Sequence, residues 1–569
     1  MVEKSKNSGS KKKWIDLSSL VVWLVAIVLI NLTSTYFFHR FDLTEENRYT
    51  LSESTTEKLE SLEDVVFIRV YLEGNLPAEF RELRNATKEL LDEFRAYAGD
   101  NIQYEFINPS ISNNEEERVE VYKELTRIGL QYTNIRVQAG DKMSEQIIFP
   151  GAVVSFRDKE VPIQLLKSVA GATEQQMIAS SIQQLEYEFV SAIQKLSSPL
   201  KKSIAFIEGH GELTELQTAD AQKALEEFYE VERISIEQKL NALAGFDAII
   251  IARPDSAYSE QDKFIIDQYI MDGGKVLWLI DPVFARMDSL RSSNLTMGLV
   301  LNHNLEDQMF KYGVRLNNDL IMDIQCNTKP IVTGYIGNQP RQEMFPWYYE
   351  PLLIGNEQHP ISSNLDRIMT EFASTLEVLE IDSIEATTLL TSSDQSRLVN
   401  APTRISFNIL RDPPKYELFN SGPHATAVLL EGKFTSVFKN RLPQKLTDDE
   451  GLKFKEISVQ TKMIVVSDGD IIRNPVSALG DKYFALGYDR YTQKMYANRE
   501  FILNSINYLC DDSGLLNVRT KEFKIRLLDQ TKIDTERYYW QTINTAVPIG
   551  FVVIMGLVFF YWRKRRFEK

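Results

Sequence analysis

The chain has 569 residues, of which 43% are hydrophobic and 25% charged, and its formal net charge is −16 at pH 7. A surface this acidic repels nucleic acid and anionic membrane surfaces, so the composition excludes an electrostatic nucleic-acid binder. The length exceeds what one hydrophobic core normally supports, and two or three domains are expected. With two cysteines, Cys326 and Cys510, there is no disulfide framework. A single bridge in an oxidising compartment is one alternative, and we favour two isolated buried thiols.

An apolar segment at residues 17–38 predicts a first membrane-spanning helix. Its length matches the ~20 residues that cross a bilayer core as a helix, and three consecutive lysines precede it. Cleavage as a signal peptide is disfavoured because no small-x-small site follows the apolar run. By the positive-inside rule, residues 1–16 are expected to stay in the cytoplasm. Residues 39–60 then form a polar linker.

Residues 61–197 combine strand and helix signals. Short runs of β-branched and aromatic residues predict strands at 65–72, 102–107, 135–137, 146–156 and 161–165. Apolar residues at helical spacing predict helices at 79–97, 114–127 and 173–196. This segment is therefore predicted to be an α/β domain, ended by Ser197-Ser198-Pro199.

The alternation becomes more regular in a second predicted domain, residues 198–515. Strands are predicted at 202–208, 231–236, 246–252, 275–280 and 463–467, and helices at 214–229, 259–271 and 498–510. Several of these strands are continuously apolar, which predicts a parallel sheet covered by helices on both faces. Residues 283–460 are irregular apart from a strand at 425–430, and we interpret them as an insertion or a third subdomain.

A second apolar segment, 543–562, follows a linker at 516–542 and precedes a basic tail at 563–569. Of the 64 basic and 80 acidic side chains, ten basic and three acidic lie in the two terminal tails, which leaves 54 and 77 between them, a net charge of −23. This asymmetry predicts that both tails are cytoplasmic and the main region periplasmic. Neither apolar segment has a charged residue at its centre, so both are expected to anchor or dock rather than to conduct ions.

The most distinctive local motif, Glu208-Gly209-His210-Gly211-Glu212, lies between a buried strand and a helix. Two other strands end in acids, namely Asp281 and the pair Asp468 and Asp470. Since ligands bind beyond the carboxyl ends of parallel strands, Glu208, His210, Glu212 and these three aspartates form a candidate binding edge. They could hold a metal or act as acid and base. The simpler interpretation, which we favour, is that the glycines make turns and the acids cap helices.

Signatures of catalysis are missing from the sequence. It contains no Gly-x-Ser-x-Gly nucleophile elbow and no His-Glu-x-x-His zinc motif. Asp272-Gly273-Gly274-Lys275 resembles a phosphate loop only superficially, because Tyr269 replaces the required glycine and a strand follows. We therefore predict a protein that is not an enzyme and uses no cofactor or metal.

Five stretches together resemble the GldG family: RFDLTEENRYTL at 40–51, VYLEG at 70–74, IAFIEGHGEL at 204–213, FDAIIIARP at 246–254 and MIVVSDGD at 463–470. The resemblance implies an accessory, so-called substrate-binding component of an ABC transporter linked to gliding motility in Bacteroidetes. Its partners would be a multi-span permease and a separate cytoplasmic ATPase. It also implies a flavodoxin-like domain of the class I glutamine-amidotransferase type, also seen in an intraflagellar transport protein. The nucleophilic cysteine of that fold is missing here, since no Gly-x-Cys-x-Gly occurs.

The expected protein is thus an α/β periplasmic region bracketed by two transmembrane helices in the inner membrane. Its expected role is that of a non-catalytic subunit docked on an ABC permease. Two alternatives remain open. One is a membrane-anchored receptor for cell-envelope polysaccharide, peptidoglycan or protein, and the other is an envelope hydrolase that uses the edge at His210 and Asp468.

Overall fold

The computed structural model describes most of the chain between residues 50 and 567. The described ranges are 50–112, 114–139, 142–167, 173–197, 201–293, 295–337, 339–410, 414–441, 454–477, 479–511 and 530–567, with helical residues at 18–20, 22–23 and 25–27. The chain divides into two compact units, Met1–Lys521 and Glu522–Lys569. The predicted first membrane helix, 17–38, lies largely outside the described residues.

The amino-terminal part of the first unit is built around a small mixed sheet. Its strands are β1 Val66–Val70, β2 Ile102–Phe106, β3 Thr133–Ala139, β4 Lys142–Ile148, β5 Gly151–Phe156 and β6 Lys159–Gln164. Its helices are α1 Glu53–Glu60, α2 Ala78–Ala98, α3 Glu115–Ile128 and α4 Glu174–Ser197. The sheet order is β2-β1-β5-β6, with β1 parallel to β2 and antiparallel to β5, while β3 and β4 form a separate hairpin.

The three helices predicted in this part are confirmed to within one residue at each end. The single strand predicted at 146–156 is wrong, because the structure has β4 and β5 there. Pro150 lies between them and has no N–H to donate to a ladder, so it separates two strands whose apolar residues run on in sequence. Helices α2 and α4 bury their apolar stripes against the sheet, where Phe94 and Phe189 meet edge to face at 6.5 Å.

The rest of the first unit contains a ten-stranded sheet and three smaller ones. The strands are β7 Ser203–Glu208, β8 Glu230–Ser235, β9 Ala248–Ala252, β10 Lys275–Leu279, β11 Val283–Phe284, β12 Leu295–Val300, β13 Val314–Leu316, β14 Asp319–Asp323, β15 Cys326–Ile336, β16 Gln339–Gly355, β17 Ile368–Met369, β18 Leu376–Val378, β19 Ile384–Thr391, β20 Ser396–Asn400, β21 Thr403–Ser406, β22 Ala425–Gly432 and β23 Thr461–Val466. The helices are α5 Glu215–Glu226, α6 Glu260–Met271, α7 Met287–Ser293, α8 Glu306–Tyr312 and α9 Asn498–Cys510.

Five neighbouring strands of the large sheet, in the order β8-β7-β9-β10-β23, are mutually parallel. Successive residues of β10 alternate between the two faces of this sheet. Leu277 and Leu279 lie on the face covered by α5 and α9, whereas Val276 and Trp278 lie on the face covered by α6 and α8. The predicted parallel sheet with helices on both faces is therefore confirmed, and burial on both sides explains why its strands are continuously apolar.

Residues 283–460 are more regular than their sequence indicates. Strands β22, β19, β16 and β15 continue the large sheet in antiparallel fashion, and the predicted strand at 425–430 is confirmed as part of β22. The other strands form the pairs β13-β18 and β14-β20 and the sheet β11-β12-β21. The prediction that this region is irregular is wrong. It failed because most of the strands are too short to show a period in the sequence. The long strand β16 shows none either, because its first half is largely exposed on both faces.

The second compact unit contains the helix α10, Gln530–Phe567. Within it, Glu536–Arg565 is 30 residues long and apolar enough to cross a membrane, and it is the one helix among the described residues that meets both conditions. The predicted second membrane segment, 543–562, lies inside this helix, although the helix already begins within the predicted linker. Neither Cys326 nor Cys510 forms a disulfide; Cys510 is buried as expected, whereas Cys326 is only half-buried.

Candidate functional site

The carboxyl ends of the parallel strands β7, β9, β10 and β23 bring four loops to one edge of the large sheet. A cavity of about 740 Å³ opens at this edge. Its walls come from these loops, from β15 and β16, and from residues 286–288, 369–371, 473–477 and 488–491. A volume of this size is typical of a small-molecule site. Most of its lining residues are polar or charged, and they fall into the groups described below.

The first group is centred on the guanidinium of Arg253, which follows β9. Its Nε donates to Asp281 Oδ2 at 3.0 Å, and its Nη1 lies 3.4 Å from Asp470 Oδ1. Arg473 approaches the same Asp470 oxygen at 3.0 Å and donates to Glu371 Oε2 at 2.7 Å. Two arginines thus hold three carboxylates from different strand ends in one network, which is nearly buried at Arg253, Asp281 and Asp470 and partly exposed at Arg473 and Glu371.

The backbone of this group is shaped for close approach. Arg253 has a φ of 54°, in the left-handed region that side-chain-bearing residues seldom adopt. Opposite it lies Gly469, where an added Cβ would be 2.6 Å from Arg253 Cβ and 2.9 Å from its Cα. The Gly469 N–H donates to Asp281, so the glycine allows the loop after β23 to pack directly on the arginine.

The three aspartates predicted from the strand ends all belong to this network. Asp468 is fully buried and accepts from the backbone N–H groups of Asp470 and Glu371, at 2.8 and 3.0 Å. Burial, with Asp281 and Asp470 close by, raises the pKa of Asp468 well above its ordinary value. Burial also raises the pKa of Asp470 to about 7, although Arg473 and Arg253 oppose that shift. The network therefore carries more carboxylate than its two arginines neutralise.

These shifts predict how stability depends on pH. A carboxyl group whose pKa is about 7 when folded and 3.8 when unfolded binds more proton in the folded state, so its contribution to stability is lost as pH rises through that window. One such group changes the free energy of unfolding by up to ~1.4 kcal/mol per pH unit. Between pH 5 and 6.5, we expect the free energy of unfolding to fall less steeply with pH in Asp470→Asn than in wild type. The difference in slope is expected to be up to ~1.4 kcal/mol per pH unit.

Urea unfolding of the full chain in mild detergent at a series of pH values measures this slope. The exposed Asp158 supplies the control Asp158→Asn, for which we expect the wild-type slope. Equal slopes for wild type and Asp470→Asn would contradict the prediction.

The second group surrounds His210, which is buried in the loop after β7. The imidazole stacks on the Tyr258 ring with centroids 3.7 Å apart, and its Nε2 lies 3.3 Å from Asp262 Oδ2. Its Nδ1 lies 3.3 Å from Glu212 Oε1, without the geometry of a hydrogen bond. Tyr258 donates to that same oxygen at 2.7 Å. Burial opposes protonation, but Glu212 and Asp262 together raise the pKa of His210.

The His210 loop is also fixed through its backbone. The His210 carbonyl accepts from the N–H groups of Asp255 and Ser256 at 3.0 Å, and its N–H donates to Glu212 Oε2 at 2.6 Å. Gly211 has a φ of 77°, and a Cβ there would meet Asp255 Oδ1 at 1.7 Å. The glycines of the motif therefore serve the turn, and Glu212 is the acid of the motif that orients the histidine.

The six residues predicted from the sequence do not converge on one point. Asp281, Asp468 and Asp470 meet around Arg253, whereas His210 and Glu212 meet around Tyr258; Glu212 and Asp470 nevertheless line the same cavity. Glu208 lies apart and accepts from Arg233 Nε on β8 at 2.6 Å. Within the described ranges, no three His, Cys, Asp or Glu side chains are arranged to hold a metal ion.

Sequence reasoning missed several residues of the cavity. Arg253 and Arg473 carry part of its positive charge, and Lys329 and Glu350 form a buried pair with Nζ 2.6 Å from Oε2. Arg253 could have been found, because it directly follows an apolar strand. Lys329 and Glu350 lie in β15 and β16, where no sequence signal distinguishes them from exposed neighbours.

Two family models, one relative and one solved structure are similar to this chain. A family model described as an ABC-type uncharacterized transport system matches residues 201–505, and a model of a domain of unknown function matches residues 45–155. An uncharacterized protein of Borreliella burgdorferi is 21% identical over 570 residues, which covers 98% of this chain and 99% of that protein. The solved mmIFT52 N-terminal domain covers 54% of this chain and 97% of that domain, at 15% identity and a TM-score of 0.32.

Proposed function

The chain belongs to the family described as an ABC-type uncharacterized transport system, and we propose that it is a non-catalytic, membrane-anchored subunit of an ABC transporter. The observation that carries this proposal is the family match over residues 201–505, which includes the whole parallel sheet and all the described residues that line the cavity. An auxiliary role implies transporter partners. The helix Glu536–Arg565, which can cross a membrane, supports association with the bilayer in which such partners lie.

We further propose that the chain has two membrane anchors, which pack against a permease driven by a separate cytoplasmic ATPase. The main region would then lie on the periplasmic side of the inner membrane, and the complex would be of the GldG type associated with gliding. The parallel strands, numbered along the chain, follow the order 2-1-3-4-5, which supports a flavodoxin-like arrangement for this region.

We favour a binding role for the strand edge over hydrolysis, because its candidate residues already contact other groups of the protein. Both ring nitrogens of His210 face carboxylates, and Asp468 is fully buried with both oxygens accepting backbone N–H groups. Neither side chain is free to activate a water or a nucleophile in this arrangement. The polar cavity beside them supports the receptor alternative, in which the same subunit holds a ligand for the transporter.

Co-purification tests the central claim. A tag on this chain, co-expressed with its cognate permease and ATPase and extracted in mild detergent, is expected to recover both partners. A matched variant, in which an unrelated apolar helix replaces residues 543–562, stays in the membrane and is expected to lose the permease. Recovery of the tagged chain without permease and ATPase would refute the proposal. Full retention by the replaced-helix variant would contradict docking through that helix.

A further inference from the structure

The cavity at the sheet edge contains more acidic than basic side chains. Seven carboxylate and five cationic side chains line it. Asp281 and Asp468 are buried directly behind the lining and add two further carboxyl groups. The interior therefore has an excess of acceptors and of potential negative charge, which a ligand could satisfy.

Two buried carboxyl groups on the wall of the cavity keep an oxygen that has no hydrogen-bond donor. Glu350 is 1% exposed; its Oε2 pairs with Lys329 Nζ at 2.6 Å, while its Oε1 has no partner. The Asp470 side chain is 6% exposed, and its Oδ1 lies near Arg253 and Arg473 at angles that form no hydrogen bond. Buried acceptors are rarely left unpaired in folded proteins, so these oxygens point to a missing donor.

The charge balance indicates that the missing donor is cationic. Burial raises the pKa of Glu350 and of Asp470 to about 7, even though Lys329 and the two arginines beside them lower it. One more positive charge in the cavity would favour the ionised form of both carboxyl groups, and the two carboxylates would in turn stabilise that charge. An anionic ligand would instead meet an excess of carboxylate.

Geometry favours an organic cation over a metal ion. Among the residues that the structure describes, no three carboxylates are close enough to ligate one ion. The cavity is large enough for a small organic molecule, and the rings of Tyr488 and Tyr491 form part of its wall. Tyr491 already faces one ammonium group, Lys329 Nζ, at 5.5 Å from its ring centroid, which is within the range of a cation–π contact.

We propose that the cavity binds a ligand carrying a protonated amine, which donates to Glu350 Oε1 and adds positive charge to the wall that Asp470 shares. The inference rests on the proposed function, because it assigns this site to binding rather than catalysis. The ammonium group can belong to a small amine or to a lysine side chain of a partner protein. Both sources present the same chemistry to the cavity.

The test measures binding of 1,4-diaminobutane to the full chain in mild detergent, by calorimetry and by melting temperature. We expect saturable binding and a rise in Tm, because a ligand of the folded state stabilises it by mass action. The neutral isostere 1,4-butanediol, and sodium chloride at matched ionic strength, are expected to do neither. A second arm compares an acetylated Gly-Lys-Gly peptide with its Nε-acetylated form; tighter binding of the peptide than of diaminobutane indicates a partner's lysine, and the reverse a small amine.

Charge-matched variants assign the binding to the cavity. Glu350→Gln is expected to weaken binding of diaminobutane at least tenfold, whereas Glu377→Gln, at a half-exposed carboxylate outside the cavity, leaves it unchanged. If Glu350→Gln does not fold, Asp470→Asn on the same wall serves in its place. Equal responses to diaminobutane and butanediol, or unchanged binding in the cavity variant that folds, would overturn the proposal. Neither of these outcomes would affect co-purification of the permease. Failure of the amine proposal is therefore distinguishable from failure of the proposed function.

Discussion

Replacement of Arg253 by alanine is expected to lower the free energy of unfolding by about 3–5 kcal/mol at pH 8. Arg253 is nearly buried and lies between Asp281 and Asp470, at 3.0 and 3.4 Å. Burial opposes its charge, yet these two carboxylates raise the pKa of Arg253, so both partners depend on it. Without the guanidinium, two buried carboxylates face each other with only Arg473 left to offset them.

The same account predicts that the loss in Arg253→Ala is smaller at pH 5. Protonation then neutralises the aspartates, whose pKa values burial has already raised, and removes the uncompensated charge. Arg286 lines the same cavity but is 45% exposed and lies 3.6 Å from Asp255, so Arg286→Ala is the matched control and is expected to cost less than ~1 kcal/mol. Urea unfolding at both pH values measures the differences. Similar losses for the two variants at pH 8 would refute the buried-charge account.

Trp278→Ala is expected to cost about 3–5 kcal/mol, the range for deletion of a large buried aromatic side chain. Trp278 lies in the middle of β10, opposite Ile251 of β9 and Val465 of β23, and is fully buried. It packs with apolar residues of α6 and α8 on one face of the parallel sheet. Its removal would leave a cavity that rigid neighbouring strands cannot close.

A conservative replacement separates packing from polarity at this position. The indole N–H of Trp278 is buried without a hydrogen-bond partner, so Trp278→Phe removes an unsatisfied donor while it keeps most of the ring volume. We expect Trp278→Phe to cost less than ~1.5 kcal/mol. Tyr416→Ala, at a side chain that is 64% exposed, should stay within ~0.5 kcal/mol of wild type. Equal losses for Trp278→Phe and Trp278→Ala, measured by denaturant unfolding, would contradict this account of the core.

The candidate site was predictable to the extent that it follows from strand ends. Asp281, Asp468 and Asp470 come directly after apolar strands, and parallel pairing places those ends at one edge of the sheet. Lys329 and Glu350 could not be predicted, because each is an ordinary charged residue in a weakly patterned segment. They become buried partners only when β15 and β16 pair at the end of the antiparallel extension of the sheet.

The sequence also could not predict that the six candidate site residues separate into different groups. The motif around His210 and the acids after β10 and β23 are equally close to strand ends. Tyr258 and Asp262, which hold His210, belong to the segment before and at the start of α6, far from the motif in sequence. Which acid approaches which base depends on the loop backbone, including the left-handed Arg253 and the glycine that faces it.

The sequence by itself determined the apolar helix near the carboxyl terminus, the helices of the amino-terminal part and the parallel strands buried on both faces. These depend on local periodicity and on apolar runs, which a chain carries in consecutive residues. Only the tertiary structure decided the antiparallel extension of the sheet, the arginine network and the cavity with its unpaired oxygens. Those features arise from contacts between residues up to some two hundred positions apart, whose charge becomes significant only once folding has removed the surrounding water.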